Sequence, residues 1–133
     1  MNLTLAYPKG FDLDPKYMDF AMNAAKVSGA NIEIEHDINK GVKDAIVIYG
    51  RGWGAYGKSA KEDAEMHKPY QDWMIRKEHF KAAAPGAIFM NSMPLKRNLD
   101  ATSEVVDGPM SAIYDEAENR MHAQKAVMSL LMS

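Results

Sequence analysis

An apolar run, Ile88-Phe89-Met90, breaks at Asn91-Ser92-Met93 into a polar turn closed by Pro94, and Lys96, Arg97 and Asn98 follow at once. Asn91 and Ser92 offer neutral hydrogen-bond donors and acceptors, and Lys96 and Arg97 add positive charge. Arg120 lies early in the last predicted helix, within reach of the same region. Such a group suits an anion or an amino acid, because a crevice with a few convergent polar groups is the usual ligand site. The alternative is structural: Arg97 and Arg120 could simply pair with Asp100, Asp107 or Glu118. A single carboxylate near the strand ends, Asp100, supplies no acid/base pair.

A second candidate is the glycine-rich loop. Gly52-Trp53-Gly54-Ala55-Tyr56-Gly57-Lys58-Ser59 fits a phosphate loop, and Gly52, Gly54 and Gly57 fit a dinucleotide fingerprint. Either mechanism needs a strand, backbone amides around phosphate, and a helix whose positive end faces it. The strand is present. The following segment, Lys58 to Lys68, has only Ala60, Ala64 and Met66 to bury, and the strand ending at Asn91 offers no aspartate for magnesium. The competing reading is a surface or active-site loop that lets Trp53 and Tyr56 reach outward. The four histidines, His36, His67, His79 and His122, fall in separate segments without ligand spacing, so no metal is expected. No cofactor is expected either.

The elements that must position these groups alternate between strand and helix. Leu3 to Tyr7 reads as a buried strand closed by Pro8-Lys9-Gly10. Asp14-Pro15 starts a helix, with Tyr17, Phe20 or Ala21, Ala24 and Val27 at helical spacing and Gly29 as its stop. Asn31 to Glu35 alternates as a second strand, Asp37 to Lys43 is a short helix, and Ala45 to Tyr49 is a third strand without a polar face. Tyr70 to Ala84 reads as helix anchored by Trp73, Ile75 and Phe80. Gly86 to Met90 is a fourth strand, Thr102 to Val106 one helical turn, and Ser111 to Tyr114 a short fifth strand. Asp115 with Glu118 reads as a capping box for a last helix buried along Ala117, Met121, Ala126 and Leu130.

This order predicts a mainly parallel five-stranded sheet in an α/β domain. In such sheets ligands sit outside the carboxyl ends of the strands, here Tyr7-Pro8, Gly50 to Trp53 and Asn91 to Pro94. The 133 residues fit one domain. A net charge of -2 argues against a nucleic-acid face. The absence of cysteine excludes disulfides and a thiol nucleophile, and suits a cytoplasmic protein. No window approaches the roughly twenty apolar residues that span a bilayer, and Met1 to Thr4 does not open a signal peptide.

Nearly the whole chain resembles the second domain of the aspartate/ornithine carbamoyltransferase superfamily, and within it the N-acetylornithine branch. The resemblance rests on Tyr7 to Phe11 with Asp14-Pro15, His36-Asp37 and Asp44 to Trp53. Its most specific parts are Pro94 to Asn98 and Asp115 to Arg120, with His122 and Gln124-Lys125-Ala126. It implies a Rossmann-like three-layer αβα domain, trefoil-knotted in the N-acetylornithine branch. It also implies carbamoyl transfer from carbamoyl phosphate to an amine, with this domain holding an N-acetyl-L-ornithine-like amino acid.

In the family the turn after strand four reads His-Cys-Leu-Pro, and here it reads Asn91, Ser92, Met93, Pro94. No catalytic set is therefore intact. The resemblance assigns substrate contact to Arg51, Trp53, Ser92, Met93, Pro94, Lys96, Asp100 and Arg120. Arg51 stands for a substrate-loop lysine, and Lys96 replaces an arginine, losing its bidentate fork. Asp100 stands where the acetylornithine enzymes carry lysine, and Arg120 matches an arginine that meets carbamoyl phosphate. The family's first domain carries a Ser-Thr-Arg-Thr-Arg phosphate loop, and these 133 residues hold nothing like it. The expectation is an isolated amino-acid-binding domain, inactive alone and in need of a first-domain partner or a second subunit. An engineered or reconstructed origin would suit the missing cysteine and the altered turn.

Overall fold

The computed structural model describes residues 1–51 and 57–132. Among them the chain forms four parallel strands in two pairs. β1 (Leu3–Ala6) lies beside β2 (Ile32–Glu35), and β3 (Val47–Gly50) beside β4 (Ile88–Asn91). The register sets Leu3 opposite Ile32 in the first pair and Gly50 opposite Asn91 in the second. The two pairs form separate sheets rather than one five-stranded sheet. The expected fifth strand is reduced to a single bridge between Ser111 and Phe89, because Ile113 already starts the last helix.

α1 (Pro15–Ser28) starts and stops where its end residues dictate. The Asp14 carboxylate accepts from the Lys16 N–H at 2.9 Å, Pro15 fills the first turn, and Gly29 closes the helix at φ 71°. Its buried side is rotated from the expected one. Met18, Ala21 and Ala25 turn inward, whereas Tyr17, Phe20 and Val27 are 67%, 76% and 91% exposed. α2 (Ile38–Gly41) is capped by Asp37 and crosses β1 so closely that a Cβ on Gly41 would come within 2.6 Å of Ala6 Cβ.

The helix expected over Tyr70 to Ala84 is absent. Short 3-10 turns at Lys68–Tyr70 and Lys77–Lys81 replace it, separated by an extended stretch in which Ile75 bridges Ala101. Ile75 and Phe80 still anchor the segment against the core, and Trp73 is half-buried. That core is Phe89, Ala101, Val105, Val106 and Ile113, centred on β4, on α4 (Ser103–Val106) and on the first residue of α5 (Ile113–Leu131). A smaller cluster joins Phe11 edge-on to His67 and Tyr70, at ring-centroid distances of 5.1 and 5.8 Å.

α5 begins two residues before the expected capping box, with Ala112 at its cap and no side-chain cap bond. Asp115 and Glu116 fall in its first turn, where carboxylates complement the helix dipole. Only Ile113 is buried; Ala117, Met121, Ala126 and Leu130 are exposed, so the side of this helix expected to be buried is not. No helix of the described residues is long and apolar enough to cross a membrane.

Candidate functional site

The parallel pairing of β3 and β4 brings their carboxyl ends side by side at Gly50 and Asn91. Beyond β4 the chain turns through Ser92-Met93-Pro94, with a cis bond between Met93 and Pro94. It then closes a tight loop. The Lys96 N–H donates to Asp100 Oδ2 at 2.9 Å, and the Asp100 N–H returns to the Lys96 carbonyl at 2.9 Å. Asn98 at the loop tip takes φ 57°, a left-handed conformation that Asn tolerates better than most residues. Its Oδ1 accepts from the Ser103 N–H at 3.1 Å, tying the loop to the start of α4.

Between these strand ends lies a crevice of about 300 Å³. Arg51, Asn91, Ser92, Met93, Pro94, Lys96 and Asp100 line it. That volume is at the small end for ligand sites and suits a molecule of amino-acid size. Two cationic side chains, one carboxylate and two neutral polar groups face it. Asn91 is its deepest polar residue at 2% exposure, and its Nδ2 has no hydrogen-bond partner among the described residues. A buried donor left unmet costs about 1–3 kcal/mol, so this amide N–H is a point where a ligand acceptor would gain most.

The floor of the crevice is fixed from α5. Glu116 Oε2 accepts from the Asn91 backbone N–H at 3.0 Å, while its Oε1 accepts from the Tyr49 hydroxyl at 2.7 Å. One carboxylate thus holds the ends of both strands. Gly50 completes the floor: a Cβ there would lie 2.9 Å from Phe89 and 3.0 Å from Asn91 Nδ2.

Of the residues expected to contact substrate, Arg51, Ser92, Met93, Pro94, Lys96 and Asp100 share this crevice, together with Asn91. Arg120 does not line it and is exposed on α5. Trp53, and with it most of the glycine loop, lies outside the described residues. Arg97 turns away and grips Asp107 with both guanidinium nitrogens, at 2.5 and 2.8 Å. That bond holds the Asp107 carboxyl below the usual carboxylate range. Gly50 lies at a strand end expected to meet the ligand, whereas Tyr49 and Glu116 were not expected at the site. The signal for Glu116 was present in the Asp115 to Arg120 segment, but nothing in the sequence says which strand its carboxylate meets.

The phosphate-loop alternative meets an obstacle at α3 (Ala60–His67). Ser59 caps it, but the Ser59 N–H and hydroxyl both donate to Glu62 Oε2, at 2.9 and 2.7 Å. Those bonds hold the Glu62 carboxyl below its ordinary range. The Ser59 hydroxyl, which that motif uses to hold magnesium, is therefore already taken by a carboxylate.

The parallel α/β arrangement places this small, mixed-charge crevice at adjacent strand ends, where such sheets hold their ligands. Residues 1–131 match the sequence pattern of the family described as aspartate/ornithine carbamoyltransferase, Asp/Orn binding domain, and the chain belongs to that family. It is 42% identical over 131 residues to an ornithine carbamoyltransferase of Thermococcus kodakarensis, covering 98% of this chain and 41% of that relative. To one from Pyrococcus abyssi it is 40% identical over 131 residues, with the same coverage. The fold matches a mutant N-acetyl-L-ornithine transcarbamylase complexed with carbamyl phosphate and N-succinyl-L-norvaline, with a TM-score of 0.87 and 34% identity. That match covers 98% of this chain and 40% of the other. An acetylornithine transcarbamylase complexed with acetylcitrulline matches with a TM-score of 0.87 and 35% identity, at the same coverage. The chain spans about two-fifths of the length of the curated relatives it matches.

Proposed function

We propose that these 133 residues form the amino-acid-binding half of an ornithine- or N-acetylornithine-type carbamoyltransferase, and that the crevice at the ends of β3 and β4 receives the amino acid. The observation that carries this reading is the buried Nδ2 of Asn91 at the crevice, which has no partner among the described residues. Arg51 and Lys96 would attract the ligand's carboxylate, Asn91 and Ser92 would hydrogen-bond its neutral polar atoms, and Met93 and Pro94 would shape the wall. Asp100 would face its positive end. Arg120 and Trp53 would act on the part of a substrate that extends beyond the crevice. In arginine biosynthesis, inside the cytoplasm, such a half would work beside a domain or subunit that binds carbamoyl phosphate.

By themselves these residues do not transfer carbamoyl groups. Asn91 is a neutral amide that can donate a hydrogen bond but offers no proton to a developing charge. The exposed Arg120 alone cannot position a phosphate, and positioning with charge stabilisation supplies most of the acceleration in such transfers. The test is calorimetric titration of the chain with L-norvaline, L-ornithine and N-acetyl-L-ornithine, paired with an assay for carbamoylated product. Saturable binding in the millimolar range or tighter, without turnover, is expected. No binding by any of the three overturns the reading, and turnover near 10 per second, about the median for enzymes, overturns the claim of inactivity.

A further inference from the structure

The crevice carries three formal charges, from Arg51, Lys96 and Asp100. None is cancelled within the protein: among the described residues these three side chains form no ion pair. Nearby charges behave differently, since Arg97 is spent on Asp107 and Lys77 on Glu104. Asp100 is also held in place before any ligand arrives. Its half-buried carboxylate receives the Lys96 N–H through Oδ2, and Oδ1 accepts no hydrogen bond among the described residues. The crevice thus presents a fixed anion and two cations that form no ion pair among the described residues.

A zwitterionic α-amino acid has the matching charge pattern. Its carboxylate meets Arg51 and Lys96, its ammonium meets Asp100, and Asn91 Nδ2 is left for a neutral acceptor. N-acylation converts the ammonium into an uncharged amide and adds bulk. Asp100 would then be covered without gaining a cation, and a site that strips water from a charge without replacing it discriminates against the ligand. We infer that Asp100 is a specificity-determining residue, which makes the crevice select amino acids with a free α-ammonium over their N-acyl derivatives. This rests on the reading that the crevice takes an amino acid, and it favours an ornithine-type ligand over an acetylornithine-type one. Asp100 is only half-buried, so the preference is modest, about two- to fivefold in Kd.

The ligands that isolate this effect are L-norvaline and N-acetyl-L-norvaline, which differ only at the α-nitrogen. Both are titrated by NMR into the chain and into Asp100→Asn and Lys96→Met variants. Asp100→Asn keeps an oxygen for the Lys96 N–H, so the loop stays closed, and an unchanged unfolding midpoint checks that. The unaltered chain should bind L-norvaline about two- to fivefold more tightly, and in Asp100→Asn the ratio should fall to about one. Lys96→Met should weaken both ligands alike. Preference for the N-acetyl form, or a ratio that survives Asp100→Asn, overturns the inference while leaving the amino-acid reading intact. So does a ratio that Lys96→Met collapses equally. If neither ligand binds the unaltered chain, the crevice reading fails and the inference with it.

Discussion

The Asn91 backbone N–H is held 3.0 Å from the Glu116 carboxylate, although 25 positions separate the two residues. The same carboxylate takes the Tyr49 hydroxyl, so the first turn of α5 fixes the ends of β3 and β4 together. Asn91 can present its side chain to the crevice because its main chain is satisfied from behind.

Removing that carboxylate should loosen both strand ends. Glu116→Ala leaves the buried Asn91 N–H and the Tyr49 hydroxyl unmet and should cost about 1–3 kcal/mol of stability. Tyr49→Phe deletes one bond without stranding a buried donor and should cost about 0.5–1.5 kcal/mol. Urea unfolding of the two variants measures the difference; equal, negligible losses would mean that Glu116 does not hold the strands.

Gly50 has no room for a side chain. Gly50→Ala would drive a methyl into the Phe89 ring and the Asn91 carboxamide, at 2.9 and 3.0 Å. Overpacking of this kind costs about 1–3 kcal/mol, and here it should also weaken ligand binding by displacing Asn91. A thermal melt with a parallel ligand titration checks both effects.

Asn98 serves through its backbone and its side chain at once. Asn98→Ala loses the bond to the Ser103 N–H and leaves an ordinary residue at φ 57°. A left-handed conformation costs such a residue about 1–2 kcal/mol, so the variant should be destabilised by roughly that amount. Asn98→Gly should recover most of the backbone part, and comparing the two unfolding midpoints separates the contributions.

His79 should make stability depend on pH. It is 6% exposed, and its Nδ1 accepts from the Arg76 N–H at 3.0 Å, an arrangement that requires the neutral ring. Burial pushes its pKa below 6.5, against the opposing pull of the Glu78 charge and with a smaller push from Arg76. The unfolded chain therefore binds the proton more readily than the folded one. This contribution is complete above pH 6.5 and is lost as pH falls from there toward the folded-state pKa, at no more than about 1.4 kcal/mol per pH unit. His79→Gln should flatten that slope. An unchanged slope in the variant would assign the pH dependence to other groups.

Local chemistry made much of this fold legible. Asp14-Pro15 and Gly29 bound α1 because capping is a short-range effect. The apolar, β-branched runs at Ala45 to Tyr49 and Ile88 to Met90 overlap two parallel strands, although Val47, Tyr49 and Ile88 leave one face of that pair exposed. The errors lie where tertiary packing overrides spacing. Tyr17, Phe20 and Val27 have helical periodicity, yet α1 turns Met18, Ala21 and Ala25 inward, one step around the helix. Trp73, Ile75 and Phe80 suggested a helix, but the Ile75 N–H and carbonyl are taken by Asp100 and Thr102, which draws the chain out straight. At the crevice, residue types predicted Ser92 and Lys96, which follow β4 directly, and the family resemblance added Asp100. The grip of Glu116 on Asn91 spans 25 positions, and no local pattern encodes it.

The central claim is that Asn91 Nδ2 awaits a ligand acceptor. Its side-chain amide gives a resolvable pair of proton–nitrogen NMR signals, assigned by their loss in Asn91→Asp. On titration with L-norvaline those signals should shift saturably, together with the backbone signals of Ser92, Lys96 and Asp100. Shifts confined to Lys58 through Met66, or a side-chain pair that does not move while the ligand binds, would contradict the account.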